Sequence, residues 1–353
     1  MGNDTSISDL FKHVVSLDIL EGANLTMERA RNRLNKLVRE LKDICLLLEG
    51  SRSKQFSMHD VIRAIAITIA YTDHHVFTER NDIEKEWKDK DKLRKCTKIC
   101  IPGDDVICKL WHEELDFLNL EFFYMDMNNS VNIHENLFKK MPKLKVLNLF
   151  RMQLSSVPES LDLLTNLQTL CLDDSNIKDV AIIGKLKKLK VLSLRNANIG
   201  ELPTEVAQLT QLRLLDLSNC WRLEVIAPNV ISKLSQLEEL YVTGCRIQWK
   251  VEVLKELKHL SQLSSLEICI KDNKLLPKDF LSKELKRYNI LIGLEGFHFY
   301  KWENYEVSRI LSLIYDSNIS LEELQIFKNV ELLQLTEVSD DDNNLTSLFN
   351  EKV

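Results

Sequence analysis

Few residues of this chain have the types and spacing for chemistry, and the first of them are His59 and Asp60. They stand side by side in FSMHDVIRAIAITIA, residues 56–70, where a strand is predicted to pass into a helix. No neighbouring residue completes a nucleophile-base set or a group of metal ligands. A structural explanation is therefore open, in which His59 caps the helix and Asp60 is favoured by the helix dipole.

Cysteines are the second candidate for chemistry. The chain has eight of them, scattered through apolar stretches: Cys45, Cys96, Cys100, Cys108, Cys171, Cys220, Cys245 and Cys269. Cys96 and Cys100 are close enough to clip a metal, but no second pair of Cys or His follows at ligand spacing. We therefore expect reduced, structural thiols and no metal site.

Composition and charge exclude several classes of protein. With 44% hydrophobic and 28% charged residues, the 353-residue chain has the composition of a folded soluble protein. A net charge of -6 gives no global field for nucleic acid or an anionic membrane. Residues 1–20 carry four charges instead of an apolar signal core, and no stretch approaches the ~20 apolar residues of a membrane span. These features predict a cytoplasmic protein with local partner recognition.

An internal repeat determines the predicted architecture. The clearest units are LKVLNL (144–149), LQTLCL (167–172), LKVLSL (189–194), LRLLDL (212–217), LEELYV (237–242) and LSSLEI (263–268), preceded by the weaker CTKICI (96–101) and LEFFYM (120–125). The fourth positions of these units recur every 22 to 26 residues, at Ile99, Phe123, Leu147, Leu170, Leu192, Leu215, Leu240 and Leu266. This period is typical of leucine-rich repeats.

The pattern LxxLxL predicts short parallel strands that share one core. Side chains alternate across a strand, so the leucines turn inward while the intervening residues turn out from a concave sheet. Prolines at Pro158, Pro203 and Pro228 mark the return segments, where a missing N–H costs no sheet hydrogen bond. Beyond Leu266 the spacing becomes uneven, and further candidate strands are RYNILIG (287–293), RILSLI (309–314), LEELQI (321–326) and VELLQL (330–335).

The first 75 residues have a different pattern. Apolar residues recur at helical spacing at Ala30, Leu34, Leu37, Leu41, Ile44, Cys45 and Leu48. The turn GSRSKQ (50–55), a short strand QFSM (55–58) and the apolar DVIRAIAITIAY follow. Helix, hairpin and helix are the outline of a winged helix. Ten basic and ten acidic residues in this region argue against DNA binding. The predicted fold class is thus α/β: a leucine-rich-repeat solenoid after a small α-helical winged-helix domain.

Outward positions on the strands are the candidates for binding a protein partner. Stacking the units gives one column of Asn148, Cys171, Ser193, Asp216, Tyr241 and Glu267, and a second column of Phe150, Asp173, Arg195, Ser218, Thr243 and Cys269. We single out Phe150, Asp173, Arg195, Asp216, Tyr241 and Glu267 as partner-binding residues. Aromatic residues are frequent contact anchors, and Asp173 and Arg195 could pair across one step. The alternative is a solvated sheet on which an exposed ion pair contributes about 0–1 kcal/mol.

The combination resembles plant disease-resistance receptors of the coiled-coil, nucleotide-binding (NB-ARC), leucine-rich-repeat family. CLLLEG (45–50), MHDVIRAIAITIA (58–70) and HVFTERND (75–82) are similar to the winged-helix end of the NB-ARC module. LEFFYM, LFKKMPKLKVLNLFRMQLSSVPESLDLLTNLQTLCLDD and LTQLRLLDLSNCWRLEVI are similar to the opening repeats of the sensor. The resemblance implies a winged-helix remnant at residues 1–82 and repeats at 83–353, regular over about 96–270.

The resemblance also implies a role for the opening pair. In the family a Met-His-Asp triplet closes over ADP, with the histidine near the phosphates, which assigns that role to Met58, His59 and Asp60. The phosphate-binding loop GxxxxGK[ST] is not found in the sequence, and Ala64 stands where the family usually has an acidic residue. The chain alone is therefore expected to hold no cofactor, although the complete receptor would bind ADP or ATP with Mg.

The function implied is protein recognition in plant defence, without enzymatic activity in this chain. The repeats would sense a pathogen effector or a guarded host protein and restrain the ADP-bound switch. The first partner could be the receptor's own NB-ARC module. The alternative is an interaction adaptor of the ubiquitin-ligase type that has no nucleotide switch.

Overall fold

The fold is known from a computed structural model. It describes residues 4–17, 19–20, 25–78, 89–101, 117–126, 137–153, 157–277, 280, 285–293, 308–314, 330–338 and 345–352. The chain divides into two compact units, Met1–Ser193 and Leu194–Val353. The predicted strand LEELQI (321–326) and the second half of HVFTERND lie outside the described residues. The predicted domain boundary near residue 82 stays a prediction.

The first unit begins with the predicted helix, hairpin and helix. Its elements are β1 (Thr5–Ser6), α1 (Ile7–Val14), α2 (Met27–Asp43), β2 (Leu48–Glu49), β3 (Gln55–Ser57) and α3 (Asp60–His74). The β2–β3 pair is antiparallel, and β1 adds antiparallel to the other side of β3. The order of helix, hairpin and helix is as predicted, while its assignment as a winged helix stays a prediction.

Helix α2 buries a different stripe from the predicted one. The side chain of Thr26 caps it by accepting a hydrogen bond from the backbone N–H of Arg29 at 3.3 Å. Its buried residues are Met27, Ala30, Leu34 and Val38. Ala30 and Leu34 were predicted correctly, whereas Leu37, Leu41, Ile44, Cys45 and Leu48 are exposed. The buried stripe runs along the side that includes Met27 and Val38, and the sequence could not distinguish these two adjacent apolar sides.

Parallel strands form the rest of the first unit. They are β4 (Val76–Phe77), β5 (Lys98–Ile101), β6 (Phe122–Asp126), β7 (Val146–Phe150), β8 (Thr169–Cys171) and β9 (Val191–Ser193), with α4 (Lys90–Lys95) between β4 and β5. Along the sheet, Ile99 pairs with Phe123, Phe123 with Leu147, Leu147 with Leu170, and Leu170 with Leu192. The predicted phase of the repeat is therefore correct residue by residue. Strand β4 is an additional, earlier strand that the repeat pattern missed.

The second unit continues the same parallel pattern. It contains β10 (Glu201–Leu202), β11 (Leu214–Asp216), β12 (Val225–Ile226), α5 (Val230–Lys233), β13 (Glu239–Val242), α6 (Val251–Glu256), β14 (Ser265–Ile270), β15 (Arg287–Ile292), β16 (Arg309–Ile314), β17 (Leu332–Val338) and β18 (Leu345–Lys352). The order β11-β13-β14-β15-β16-β17 is parallel, and β18 adds antiparallel to β17. Strands β15, β16 and β17 confirm three of the predicted irregular repeats.

Short 3-10 turns form several of the return segments. Pro158 and Pro203 each stand directly before one, at Glu159–Leu163 and Thr204–Gln208. At these positions the fixed φ of proline suits the entry to a helical turn, and its missing N–H is not needed. The predicted use of proline on the returns is confirmed.

Five of the repeats bend into their returns through a left-handed residue just after the strand. These residues are Arg151 (φ 58°), Asp174 (57°), Asn196 (56°), Asn219 (62°) and Gly244 (74°). At Gly244 a side chain would also collide with Asn219, because an added Cβ would lie 2.3 Å from Asn219 Oδ1.

Buried thiols and hydroxyls fill the interior just after these bends. Ser175 Oγ donates to the carbonyl oxygen of Leu149 at 3.3 Å, Cys220 Sγ to Leu194 at 2.9 Å, and Cys245 Sγ to Leu217 at 3.1 Å. Each bond ties one repeat to the preceding strand. Burial raises the pKa of Cys96 to about 12 and that of Cys269 to about 11. The thiols of Cys96 and Cys269 are therefore protonated and serve as packing groups.

Candidate protein-binding face

Helix α1 lies on the outward face of strands β6 to β9 in the first unit. Its start is fixed by Ser6, whose Oγ accepts from the N–H groups of Ser8 at 3.2 Å and Asp9 at 3.4 Å. The acidic Asp9 in the first turn and the basic Lys12 in the last turn match the helix dipole. The sequence thus makes a short, well-capped helix with a cationic group at one end.

Lys12 makes the strongest contact of α1 with the sheet. Its side chain is 3% exposed, and its ammonium group lies 2.7 Å from Ser193 Oγ and 3.4 Å from Asp173 Oδ2. Ser193 in turn donates to Asp173 Oδ1 at 2.5 Å. Removing the charges of Lys12 and Asp173 from water costs most of the free energy that their Coulomb attraction provides. The main effect of the pair is therefore to select a cation beside Asp173. We refer to Lys12, Asp173 and Ser193 as the lysine clamp.

A hydroxyl relay continues the contact next to the lysine clamp. Ser16 Oγ and Thr169 Oγ1 are 2.8 Å apart, and Thr169 Oγ1 donates to the carbonyl oxygen of Lys12 at 3.2 Å. The second bond leaves Ser16 as donor to Thr169. The relay satisfies a carbonyl in the last turn of α1, where the helix offers no N–H partner.

His13 contacts the first strands of the same face. Asn148 Nδ2 lies 2.7 Å from His13 Nε2, and the imidazole meets the rings of Phe122 and Tyr124 edge-on at 5.6 and 6.3 Å between centroids. Burial lowers the pKa of His13 to about 4. The charge of Asp9 raises this pKa and the charge of Lys12 lowers it, and both effects are smaller than that of burial. A neutral imidazole is therefore the form that accepts the proton of Asn148.

The predicted surface residues of the first unit belong to this interface. Asn148 and Asp173 are only 6% and 5% exposed, and Ser193 is fully buried. The alternative of a solvated sheet is wrong here, because α1 covers it. Phe150 is half-buried at the edge, with the guanidinium of Arg151 5.0 Å above its ring. Pairing of Asp173 with Arg195 stays a prediction, while Lys12 is an observed partner of Asp173.

In the second unit the outward face has a buried acid of its own. Glu239 is fully buried, and its carboxylate accepts from Tyr241 OH at 2.8 Å and Arg287 Nη2 at 2.7 Å. Of the predicted residues, Tyr241 and Glu267 are half-buried, and Asp216 is 6% exposed. Asp216 Oδ1 accepts from the N–H of Ser218 at 3.0 Å.

Sequence reasoning missed the residues that complete both clusters. Lys12 was considered only as one of the charges of the N-terminal region, and no role was assigned to His13, Ser16, Glu239 or Arg287. A capped amphipathic pattern at residues 6–16 was a signal for the helix. No local signal indicates that Lys12 meets Asp173, 161 positions away.

The Met58-His59-Asp60 triplet lies at the start of α3. His59 Nδ1 accepts from the N–H of Val61 at 3.3 Å, which makes it the cap of the helix. Asp60 pairs with Arg63 at 3.2 Å, and Arg63 also donates to the carbonyl oxygen of Met58. His59 and Asp60 are exposed. Among the described residues this site offers one imidazole and no cradle of backbone amides, so by itself it does not fit a nucleotide.

Metal sites and membrane-spanning helices are the two other features of interest in the described part of the chain. There, no group of three or more His, Cys, Asp or Glu side chains has the arrangement of a metal site. Burial raises the pKa of Cys100 to about 11, which disfavours the thiolate that a metal clip with Cys96 would need. None of the helices in the described ranges is long and apolar enough to cross a membrane.

Comparisons with known proteins agree with the repeat geometry. The family model described as a leucine-rich repeat region matches residues 181–341. This part of the chain is thus similar to leucine-rich repeats. Relatives include a probable disease resistance protein of Arabidopsis thaliana, 26% identical over 284 residues, which covers 78% of this chain and 33% of that protein. A second Arabidopsis disease resistance protein is 28% identical over 298 residues, covering 76% and 29%.

The chain spans about a third of the length of the curated relatives that it matches. Solved structures with similarity include an internalin of Listeria monocytogenes, with 15% identity, a TM-score of 0.38 and coverage of 57% and 58% of the two chains. A leucine-rich-repeat protein of Leptospira interrogans has 19% identity, a TM-score of 0.36 and coverage of 75% and 76%. The chain is thus similar in sequence to plant disease resistance proteins.

Proposed function

We propose that this chain is the protein-recognition part of an intracellular plant immune receptor. The observation that supports the proposal most is the seating of α1, since the outward face already holds a protein segment through the lysine clamp. Similarity to disease resistance proteins adds the biological setting. The partner would be a pathogen effector, a guarded host protein or the receptor's own nucleotide-binding module, met in the cytoplasm.

Binding, and not catalysis, is the proposed activity of the chain. In a complete receptor, His59 would approach the phosphates of bound ADP, supported by Met58 and Asp60. Its Nδ1 caps α3, which leaves Nε2 for that role. We expect no micromolar binding of ADP to this chain alone, because one imidazole cannot replace a loop of amides, a lysine and magnesium. Isothermal calorimetry with ADP and Mg²⁺ checks this.

A binding experiment on the outward face tests the recognition role. Phe150, Arg195 and Tyr241 are replaced together by alanine in the full chain. Association is then measured with the nucleotide-binding part of a relative, supplied as a separate protein. Loss of binding by a variant that keeps its folded structure is expected, because aromatic and arginine anchors dominate such interfaces.

The matched control is the triple alanine variant of Lys178, Thr204 and Lys233, which are exposed on the return segments. This control should bind at full strength. Binding that survives the first triple variant and disappears in the control would move the interaction to the returns. An adaptor of the ubiquitin-ligase type is the second candidate, and co-purification of a ligase scaffold with the chain would favour it.

A further inference from the structure

A column of side chains follows the left-handed bends of the repeats. Two positions after the five bends stand Gln153, Asn176, Asn198, Trp221 and Arg246. The parallel bridge between Gln153 and Asn176 pairs the first two of these positions. Four of the five residues are polar, as expected for a solvated flank of a repeat array. Trp221 is the exception, and it is 41% exposed.

Arg222 is an additional residue in the same turn. In three other repeats the column residue is followed directly by a buried isoleucine, at Ile177, Ile199 and Ile247. After Trp221 the corresponding buried residue, Leu223, comes one position later, so Arg222 is inserted between the two. Its guanidinium lies 4.5 Å from the centroid of the Trp221 ring. Insertions in repeats often map to a binding face, and this one brings a cation onto the exceptional tryptophan.

The two tryptophans in the described part of the chain have opposite environments. Trp249 is 7% exposed, and its indole N–H donates to the carbonyl oxygen of Cys269 at 2.7 Å. The indole N–H of Trp221 has no acceptor among the described residues, and its ring contacts the guanidinium of Arg222. Packing of the interior therefore explains Trp249 but not Trp221. An exposed tryptophan stacked with an arginine has the composition of a binding hot spot.

Charge and apolar surface define what this patch can bind. Val225, four positions after Trp221, is 46% exposed and adds apolar surface. Arg222 makes no ion pair with the described residues, so the edge of its guanidinium is open to a carboxylate while its face lies on the ring. Glu224 is exposed two positions after Arg222, which disfavours a run of several acids. The complement of the patch is a single carboxylate beside an apolar side chain.

We propose that Trp221, Arg222 and Val225 form a docking site for a protein segment that carries one aspartate or glutamate beside an apolar side chain. The site lies on the segment that leaves β11, outside the outward columns of the sheet. This inference goes beyond the proposed function, because it assigns a second surface to a partner in addition to the outward face.

Selection from random peptides displayed on phage tests the proposal on the full chain. Peptides that bind the wild type are kept, and those that also bind Trp221→Asn are removed. Asparagine is the residue of the preceding repeat in this column, at Asn198, so the variant should fold. We expect the remaining peptides to share an acidic residue next to an apolar one. Selection on Arg222→Glu should instead enrich lysine or arginine at the acidic position.

The affinities of the selected peptides provide the quantitative check. Fluorescein-labelled peptides should bind Arg222→Ala at least about tenfold more weakly than the wild type, by fluorescence anisotropy. A peptide whose acid is changed to its amide should lose a similar factor. The matched control is Leu163→Asn, because Leu163 is an apolar residue 44% exposed on another return, and its binding should equal that of the wild type.

Three outcomes would overturn the proposal. The first is a selection that leaves no peptide dependent on Trp221. The second is equal binding of the acidic peptide and its amide, because a carboxylate would then not be recognised. The third is a wild-type dimer in sedimentation that Trp221→Asn converts to monomer, because a second copy of the chain would then occupy the patch.

Hydrogen exchange of the wild type keeps the test valid if Trp221→Asn does not fold. Peptides selected on the wild type alone and carrying the acidic-apolar pair should slow the exchange of amides in residues 219–226. Protection confined to other segments would overturn the proposal. Failure of the proposed function looks different, because the nucleotide-binding part of a relative would then still bind after replacement of Phe150, Arg195 and Tyr241. Those replacements should leave peptide binding at Trp221 unchanged.

Discussion

The outward faces of the two units handle a buried acid in different ways. In the first unit the cation for Asp173 is Lys12, from a helix 161 positions earlier in the chain. In the second unit the cation for Glu239 is Arg287, from a strand of the same sheet 48 positions later. Asp173 thus receives a cation from a helix outside the repeats, whereas Glu239 receives one from its own repeats. The comparison teaches that a repeat surface can pair a buried acid with cations from different parts of the chain.

The largest effect should come from the shared core, where the two units are alike. Leu192 is fully buried and Leu240 is 1% exposed, both at the fourth position of the repeat. Either Leu→Ala change should lower the free energy of unfolding by about 2–5 kcal/mol, through lost burial and a residual cavity. Chemical denaturation measures this. An unchanged midpoint for either variant would show that the repeat phase differs between the units.

Removal of Lys12 should have the next largest effect. Lys12→Met leaves Asp173 with Ser193 as its remaining clamp partner and is expected to cost about 3 kcal/mol. The control is Lys36→Met, because the side chain of Lys36 is 76% exposed and its pair with Glu40 lies on the helix surface. That change should cost about 0–1 kcal/mol. Equal denaturation midpoints for the two variants would remove the distinction between a clamp and a surface pair.

Acid should weaken the first unit through His13. Its pKa is about 4 in the folded chain, because of burial, and about 6.5 when unfolded. The charged groups of its own helix are Asp9 and Lys12, and Tyr124 faces it from the sheet. The unfolded state takes up the proton first as pH falls, so the stabilisation is complete above pH 6.5 and is lost between pH 6.5 and 4.

The expected loss attributable to His13 is about 1–3 kcal/mol over this range. It is measured as the difference in unfolding free energy between the wild type and His13→Gln, whose side-chain carbonyl can still accept from Asn148. Parallel pH profiles of the two proteins would show that His13 does not titrate on unfolding.

The smallest effect is expected in the second unit. Tyr241→Phe removes one hydrogen bond to Glu239 but leaves Arg287 in place, so we expect a loss of about 1 kcal/mol. Its double-mutant cycle with Lys12→Met should be additive, because the two clusters lie in different units. A loss as large as that of Lys12→Met would mean that the second face is no more self-sufficient than the first.

The sequence was sufficient to predict the strands but not what covers them. Leu147, Leu170 and Leu192 follow a local period that the stacked sheet enforces, so their register was predictable. Strand β4 was missed because two residues, Val76 and Phe77, are too few to display a period. The stripe of α2 was only partly predicted, since Leu37 and Val38 are equally apolar and only tertiary contacts decide between them.

The role of the candidate face in partner binding stays a prediction, and the burial of two of its residues was not foreseen. Asn148 and Asp173 were expected to meet solvent or a partner, and the structure places them beneath α1. Nothing in LQTLCLDD or LKVLSL indicates a lysine from the N-terminal region, because long-range docking leaves no periodic trace. For His59 the helix-cap geometry is observed, while its role toward ADP stays a prediction.

The left-handed bends at Arg151, Asp174, Asn196, Asn219 and Gly244 have a consequence for how such a chain can change its length. Each of these five repeats leaves its strand through the same backbone conformation, which the sequence of that repeat specifies. Gain or loss of one whole repeat therefore preserves every remaining bend and strand register. It changes only the number of outward positions, so recognition surfaces of different extent can be made from one geometry without redesigning the interior.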